Sequence, residues 1–152
     1  MMSWETAYSA LNLLVIPAWA LLIFLPGHAI TRRLVHSALY PLTLGLIYLV
    51  SLGAALLFGV ADPEAGMSNL AGVMSLFDHP NGILTGWTHF LVFDLFVGAW
   101  IARDARRCGL AHLLTVPALL LSFLFGPLGL LLYLLIRKLS GKGGWGLFED
   151  GK

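Results

Sequence analysis

Charge is scarce in this chain of 152 residues. Only 11% of them are Asp, Glu, Lys or Arg, whereas soluble domains carry about 25%, and the mean hydropathy is +0.86. That shortage excludes a water-soluble globule. The formal net charge is only +1, from 9 Lys and Arg against 8 Asp and Glu. No basic patch interleaves with aromatics, so no nucleic-acid partner is expected. Cysteine is nearly missing: Cys108 stands alone, and no intrachain disulfide can form. No pair of Cys or His has ligand spacing, so no metal site is expected. Phosphate-binding loops, dinucleotide fingerprints and nucleophile triads are also absent, and no cofactor is expected. The start of the chain lacks a positive n-region, its apolar run is too long for a signal peptide, and a Ser- and Arg-rich transit peptide is missing. The expectation is a multi-pass protein of a bacterial inner membrane, or a mature organellar one.

What is abundant is uninterrupted apolar sequence. Residues 6–31, 34–61 and 108–136 contain no charged side chain, and 79–102 contain only Asp94. A spanning helix needs about 20 apolar residues, and backbone groups in lipid must be satisfied internally. The predicted fold is therefore all-α, with transmembrane helices near 6–26, 37–60, 83–102 and 111–136 in a single four-helix domain over 1–140. A flexible C-terminal tail follows over 141–152. Between the second and third spans, Leu70, Val73, Met74 and Phe77 recur at helical spacing, with Ser68 placed to cap them. This predicts a short amphipathic helix over 69–77 lying in the membrane interface. Four spans put both termini on one side. The Lys and Arg count is then five against four, too even for the positive-inside rule to decide. The earlier loops favour a cytoplasmic face for Arg32, Arg33, Arg103, Arg106 and Arg107.

Asp94 is the most informative residue. A carboxylate at mid-bilayer costs about 2.5–3.5 kcal/mol on insertion scales and needs a partner, a proton or a task. His89 lies in the same span. At about 1.5 Å rise per residue, Asn12 falls at the depth of His89. Tyr48, Ser51 and Ser122 fall near Asp94, and His112 and Thr115 lie close to the other surface. Every span thus offers a polar group to one shared layer, flanked by Trp19, Trp87, Phe93 and Trp100. Structural readings stand beside this one. His89 can be a neutral histidine bonded to a carbonyl or to Asn12, Asp94 a structural partner, and the aromatics ordinary packing. Gly82 and Gly86 allow close helix approach. Pro17, Pro117 and the run Phe125-Gly126-Pro127-Leu128-Gly129 predict kinks. Asp104 is expected to form an exposed ion pair with Arg103.

The run Gly86-Trp87-Thr88-His89-Phe90-Leu91-Val92-Phe93-Asp94-Leu95-Phe96-Val97-Gly98-Ala99-Trp100-Ile101 resembles the signature of the plant neoxanthin synthase family, the abscisic-acid-deficient-four-like proteins. So does the stretch from His112 through Pro117 to Ser122-Phe123-Leu124-Phe125-Gly126-Pro127-Leu128-Gly129-Leu130, and Asn12, Pro17 and Trp19 are spaced similarly. The resemblance implies a small membrane protein acting on carotenoids, specifically xanthophylls: an isomerase converting an epoxide to an allenic alcohol, or cis and trans forms. A non-catalytic carotenoid-binding or assembly subunit is the alternative. Opening an epoxide needs an acid at its oxygen and a base at the adjacent carbon. Asp94 and His89 are the candidate catalytic pair. Asn12, Trp19, Tyr48, Trp87, Phe93, Trp100, His112 and Ser122 are the candidate substrate-binding residues. The partners implied are the lipid bilayer, a lipophilic carotenoid and, in addition, a second copy of the chain or other membrane proteins.

Overall fold

The computed structural model describes residues 3–147, all of it helix, turn or loop without a strand. Seven helices follow one another: α1 (Trp4–Phe24), α2 (Ala29–Leu34), α3 (Leu39–Phe58), α4 (Leu70–Leu76), α5 (Pro80–Arg107), α6 (His112–Phe125) and α7 (Pro127–Leu139). Three segments are long and apolar enough to cross a membrane: α1, Ala29–Phe58 with α3 as its long part, and α5. Their apolar side chains are widely exposed, with Leu42, Leu49, Leu57, Phe90 and Phe96 among them. Such surfaces are stable only against lipid or a partner. The protein is an all-α membrane protein.

The chain divides into two compact units. One combines the described residues up to Val15 with Leu39–Val92; the other combines Ile16–Ala38 with the residues from Phe93 onward. The early parts of α1 and α5 thus belong to the first unit and their later parts to the second.

In the first unit, Ser3 starts α1 by accepting the Thr6 N–H at 3.1 Å. Val60 N–H returns to Ala54 C=O past the end of α3, which satisfies an orphan carbonyl there. Asn81, buried near the start of α5, donates its amide to Ser51 C=O at 2.8 Å and Val60 C=O at 3.0 Å, tying α5 to the last turns of α3. The interhelical segment folds over Leu70–Leu76, as its periodicity predicts, but Asn69 caps it rather than Ser68, its side chain accepting from Gly72 N–H at 2.9 Å. The Gly82 and Gly86 pair does admit a close neighbour. A methyl on Gly82 would strike the Leu76 carbonyl, and one on Gly86 the Phe77 ring.

In the second unit, α2 is an element that charge patterning missed. His28 Nδ1 caps it at Ile30 N–H, and Thr31 donates to Leu25 C=O at 2.5 Å. The fourth apolar window differs more. It folds as α6 and α7, of 14 and 13 residues, or about 20 Å each. Neither matches the ~30 Å hydrocarbon core. Gly126 separates them at φ +43°, a conformation that favours glycine, and Pro127 follows as a first-turn proline. Gly129 then passes so close to α6 that a Cβ would overlap the backbone of Ser122 and Ala118. Residues eleven apart meet only if α7 doubles back along α6. The window is a helical hairpin.

Candidate functional site

In the first unit α1, α3 and α5 leave an open apolar groove of about 710 Å³, within the roughly 300–1,000 Å³ usual for small-molecule sites. Alanines make the room: Ala7 and Ala10 on α1 and Ala54 on α3 stand where leucines would fill it, between Leu11, Leu14, Leu46 and Ile47. Ser51, Asn81 and Thr88 are the polar side chains in the wall. Each spends hydrogens on backbone. Ser51 donates to Tyr48 C=O at 3.0 Å, Thr88 to Leu84 C=O at 2.7 Å, and Asn81 bridges Ser51 and Val60 as described. The wall therefore presents mostly hydrocarbon, with the lone pairs of these three residues and the Trp4 indole as its polar features.

Four of the sequence-derived candidates gather in this unit. Trp87 Nε1 donates to Asn12 Oδ1 at 3.1 Å, while Asn12 Nδ2 donates to Tyr8 C=O at 2.8 Å. The Tyr8 and Trp87 rings lie 5.5 Å apart. Asn12 thus serves Trp87 rather than His89. His89 is exposed, its ring 6.1 Å from that of Tyr48. None of these four lines the groove; the residues that do, such as Ala10, Ala54 and Thr88, carry no chemical signature in the sequence.

The remaining candidates lie in the second unit and do not form one cluster. The Asp94 carboxylate sits against Gly126, where any Cβ would collide with it. It therefore meets the break between α6 and α7, thirteen residues or about 20 Å from the Arg107 end of α5. Ser122 is fully buried one turn before that break, its hydroxyl without a hydrogen-bond partner. Trp19 packs its ring on Gly98 and 5.4 Å from the Phe123 ring. His112 Nε2 donates to Ile23 C=O at 2.7 Å, joining the start of α6 to the end of α1. Phe93 is 56% exposed and turns to the surroundings. Trp100 meets Tyr133 edge-on at 5.6 Å, with the Arg137 guanidinium 5.9 Å from its ring centre.

That last contact belongs to a cluster that sequence reasoning missed. Asp104, expected as an exposed partner of Arg103, is buried. It accepts from Arg137 Nη1 at 2.6 Å, from Arg107 Nη2 at 2.5 Å and from the Tyr133 hydroxyl. Arg103 instead reaches His36 at 3.5 Å. Neighbouring residues on a helix do not face each other, whereas i, i+3 pairs do. That spacing pointed to Arg107, and Tyr133 and Arg137 stand one turn apart on α7. Arg137 Nη2 also donates to Gly144 C=O at 2.7 Å and Gly146 C=O at 2.6 Å, so the described part of the expected tail is held. Residues 148–152 lie outside the described region. Among the described residues no three His, Cys, Asp or Glu side chains group to hold a metal ion.

The profile of the family described as ABA4-like, ABA DEFICIENT 4-like, matches residues 6–133. The chain belongs to this family. The match runs from the first turn of α1 into α7, so the groove apart from Trp4, and the Asp94–Gly126 contact, lie on family sequence. Protein ABA DEFICIENT 4, chloroplastic, of Arabidopsis thaliana is 25% identical over 130 residues, covering 82% of this chain. The chain spans 57% of that relative's length. No solved structure matches.

Proposed function

We propose that this protein holds a carotenoid-class polyene in the groove of its first unit, within the bilayer, and isomerises the oxygenated end of that molecule. The observation carrying the proposal is the groove itself: a long hydrocarbon wall, roomy because of alanines, on a membrane-embedded bundle. Family membership supports the substrate class, through the resemblance to neoxanthin synthases. A bacterial inner membrane is the location proposed for it.

The candidate proton-transfer groups on α5 are His89, in the first unit, and Asp94, in the second, and each is proposed on its own. In an epoxide-to-allene isomerisation one C–O bond breaks and its oxygen takes a proton. A neighbouring vinylic C–H gives one up, and the electron pair released forms the cumulated double bond. Atoms and charge balance without a redox partner. A carboxyl group or an imidazole can supply the first proton or accept the second. One observation favours a second reading, a carrier without chemistry: the groove wall is almost wholly hydrocarbon, and Ser51, Asn81 and Thr88 have committed their hydrogens to backbone.

The test uses the full chain purified from a carotenoid-producing host. Pigment should co-purify. Ala10→Phe with Ala54→Phe, which fills the groove, should lower its occupancy by about tenfold, the equivalent of about 1.4 kcal/mol. A pigment-free preparation, or unchanged pigment in the filled variant, ends the groove reading. With violaxanthin as probe, Asp94→Asn and His89→Gln should each abolish product while leaving bound pigment intact. Full turnover in both variants removes them from the mechanism, and bound pigment without turnover in the parent protein leaves the carrier.

A further inference from the structure

Nine Lys and Arg occur in the chain. Lys152 lies outside the described residues; the other eight are Arg32, Arg33, Arg103, Arg106, Arg107, Arg137, Lys138 and Lys142, and all belong to the second unit. Sequence alone spreads them over three separate stretches. The fold gathers them, because the hairpin returns α7 to the level from which α6 departed. Arg137 meets Asp104 at 2.6 Å at the last turn of α5. Arg106 donates to Pro26 C=O at 3.0 Å, fastening the same turn to the bend between α1 and α2. Arg103 reaches His36 just beyond α2. Three helix ends and α2 therefore converge on one cationic surface.

Two acids are described in this unit, Asp94 and Asp104. Asp104 is buried and committed to Arg107 and Arg137, and Asp94 is about 15 Å away from it along α5. Glu149 and Asp150 follow in the tail, outside the described residues. Arg32, Arg33, Lys138 and Lys142 are exposed. Beside them the apolar side chains Phe24, Leu25, Leu113 and Leu139 are exposed too. A soluble anionic ligand does not require such apolar neighbours, whereas the headgroup boundary does: the leucines enter acyl chains while the cations reach the phosphate plane.

We infer that this end of the second unit is a binding surface for anionic phospholipid headgroups, assembled by the hairpin. It is independent of what occupies the groove. The full chain reconstituted in phosphatidylcholine vesicles containing some phosphatidylglycerol should gather phosphatidylglycerol around itself and unfold at higher temperature than in phosphatidylcholine alone. Each of Arg32→Gln, Arg33→Gln, Lys138→Gln and Lys142→Gln should lower the local enrichment by up to about fivefold, and the fourfold variant should erase the thermal gain. Its midpoint in phosphatidylcholine should stay at the parent value, since these exposed side chains hold no ion pair among the described residues. Equal midpoints in the two vesicles overturn the inference, as does a thermal gain that survives in the fourfold variant. Inorganic phosphate reproducing the gain in phosphatidylcholine alone would assign the surface to a soluble anion and also overturn it. Arg32→Lys with Arg33→Lys, which keeps the charge, should retain the gain.

Discussion

Asp104 shows how much one buried charge can organise. It holds Arg107, Arg137 and Tyr133 together, and Arg137 in turn holds the carbonyls of Gly144 and Gly146. Removing the carboxylate leaves Arg137 buried at 1% exposure without its counter-charge, which costs about 3–5 kcal/mol. Asp104→Asn should therefore lower the thermal midpoint sharply in detergent. The double variant Asp104→Leu/Arg137→Met should recover most of the loss, because an apolar pair removes the stranded charge. A double variant no better than Asp104→Asn would mean that the ion pair is replaceable neither by charge nor by packing. The cluster was illegible in the sequence because its second arginine lies 33 residues downstream. Distance along the chain hides a pair that a helix reversal creates.

At the scale of elements, charge-free windows located α1, α3 and α5, and the spacing of Leu70, Val73, Met74 and Phe77 located α4. Those signals are local: apolar length and helical period. The fourth window defeated them because hydropathy is blind to direction. An apolar run of that length reads the same whether it crosses or turns back. The glycines and proline at 126–129 were visible, but neither the positive φ at Gly126 nor the close approach of Gly129 to α6 can be read from residue type alone. The hairpin makes a specific demand. With Cys108→Ser as background, single cysteines at Ala111 and Ser140, both exposed, should react with a membrane-impermeant maleimide from the same face of sealed vesicles. Labelling from opposite faces would restore a fourth crossing. The groove was hidden for another reason. It consists of missing volume, and alanines announce nothing until the helices around them are placed.

Across the whole molecule the distribution of cations matters more than their number. Taken over four crossings the count was five against four. With the hairpin, the eight described Lys and Arg share one end of the second unit, and the positive-inside rule acquires a clear subject. A reporter active only in the cytoplasm, fused after Lys152 and expressed in a bacterial host, should be active, because the segment after α7 is held beside Asp104 at that cationic end. An inactive fusion with intact protein would reverse the orientation. The family match takes in Arg32, Arg33, Arg103, Arg106 and Arg107 but ends at Tyr133, before Arg137, Lys138 and Lys142.

The hairpin also bears on how the protein is made. Among the described residues, every segment long enough to traverse the bilayer has been synthesised by the time the ribosome passes Gly109. The hairpin of α6 and α7 that follows can dock from the face where it emerges, and its arrival closes the salt-bridged clasp around Asp104.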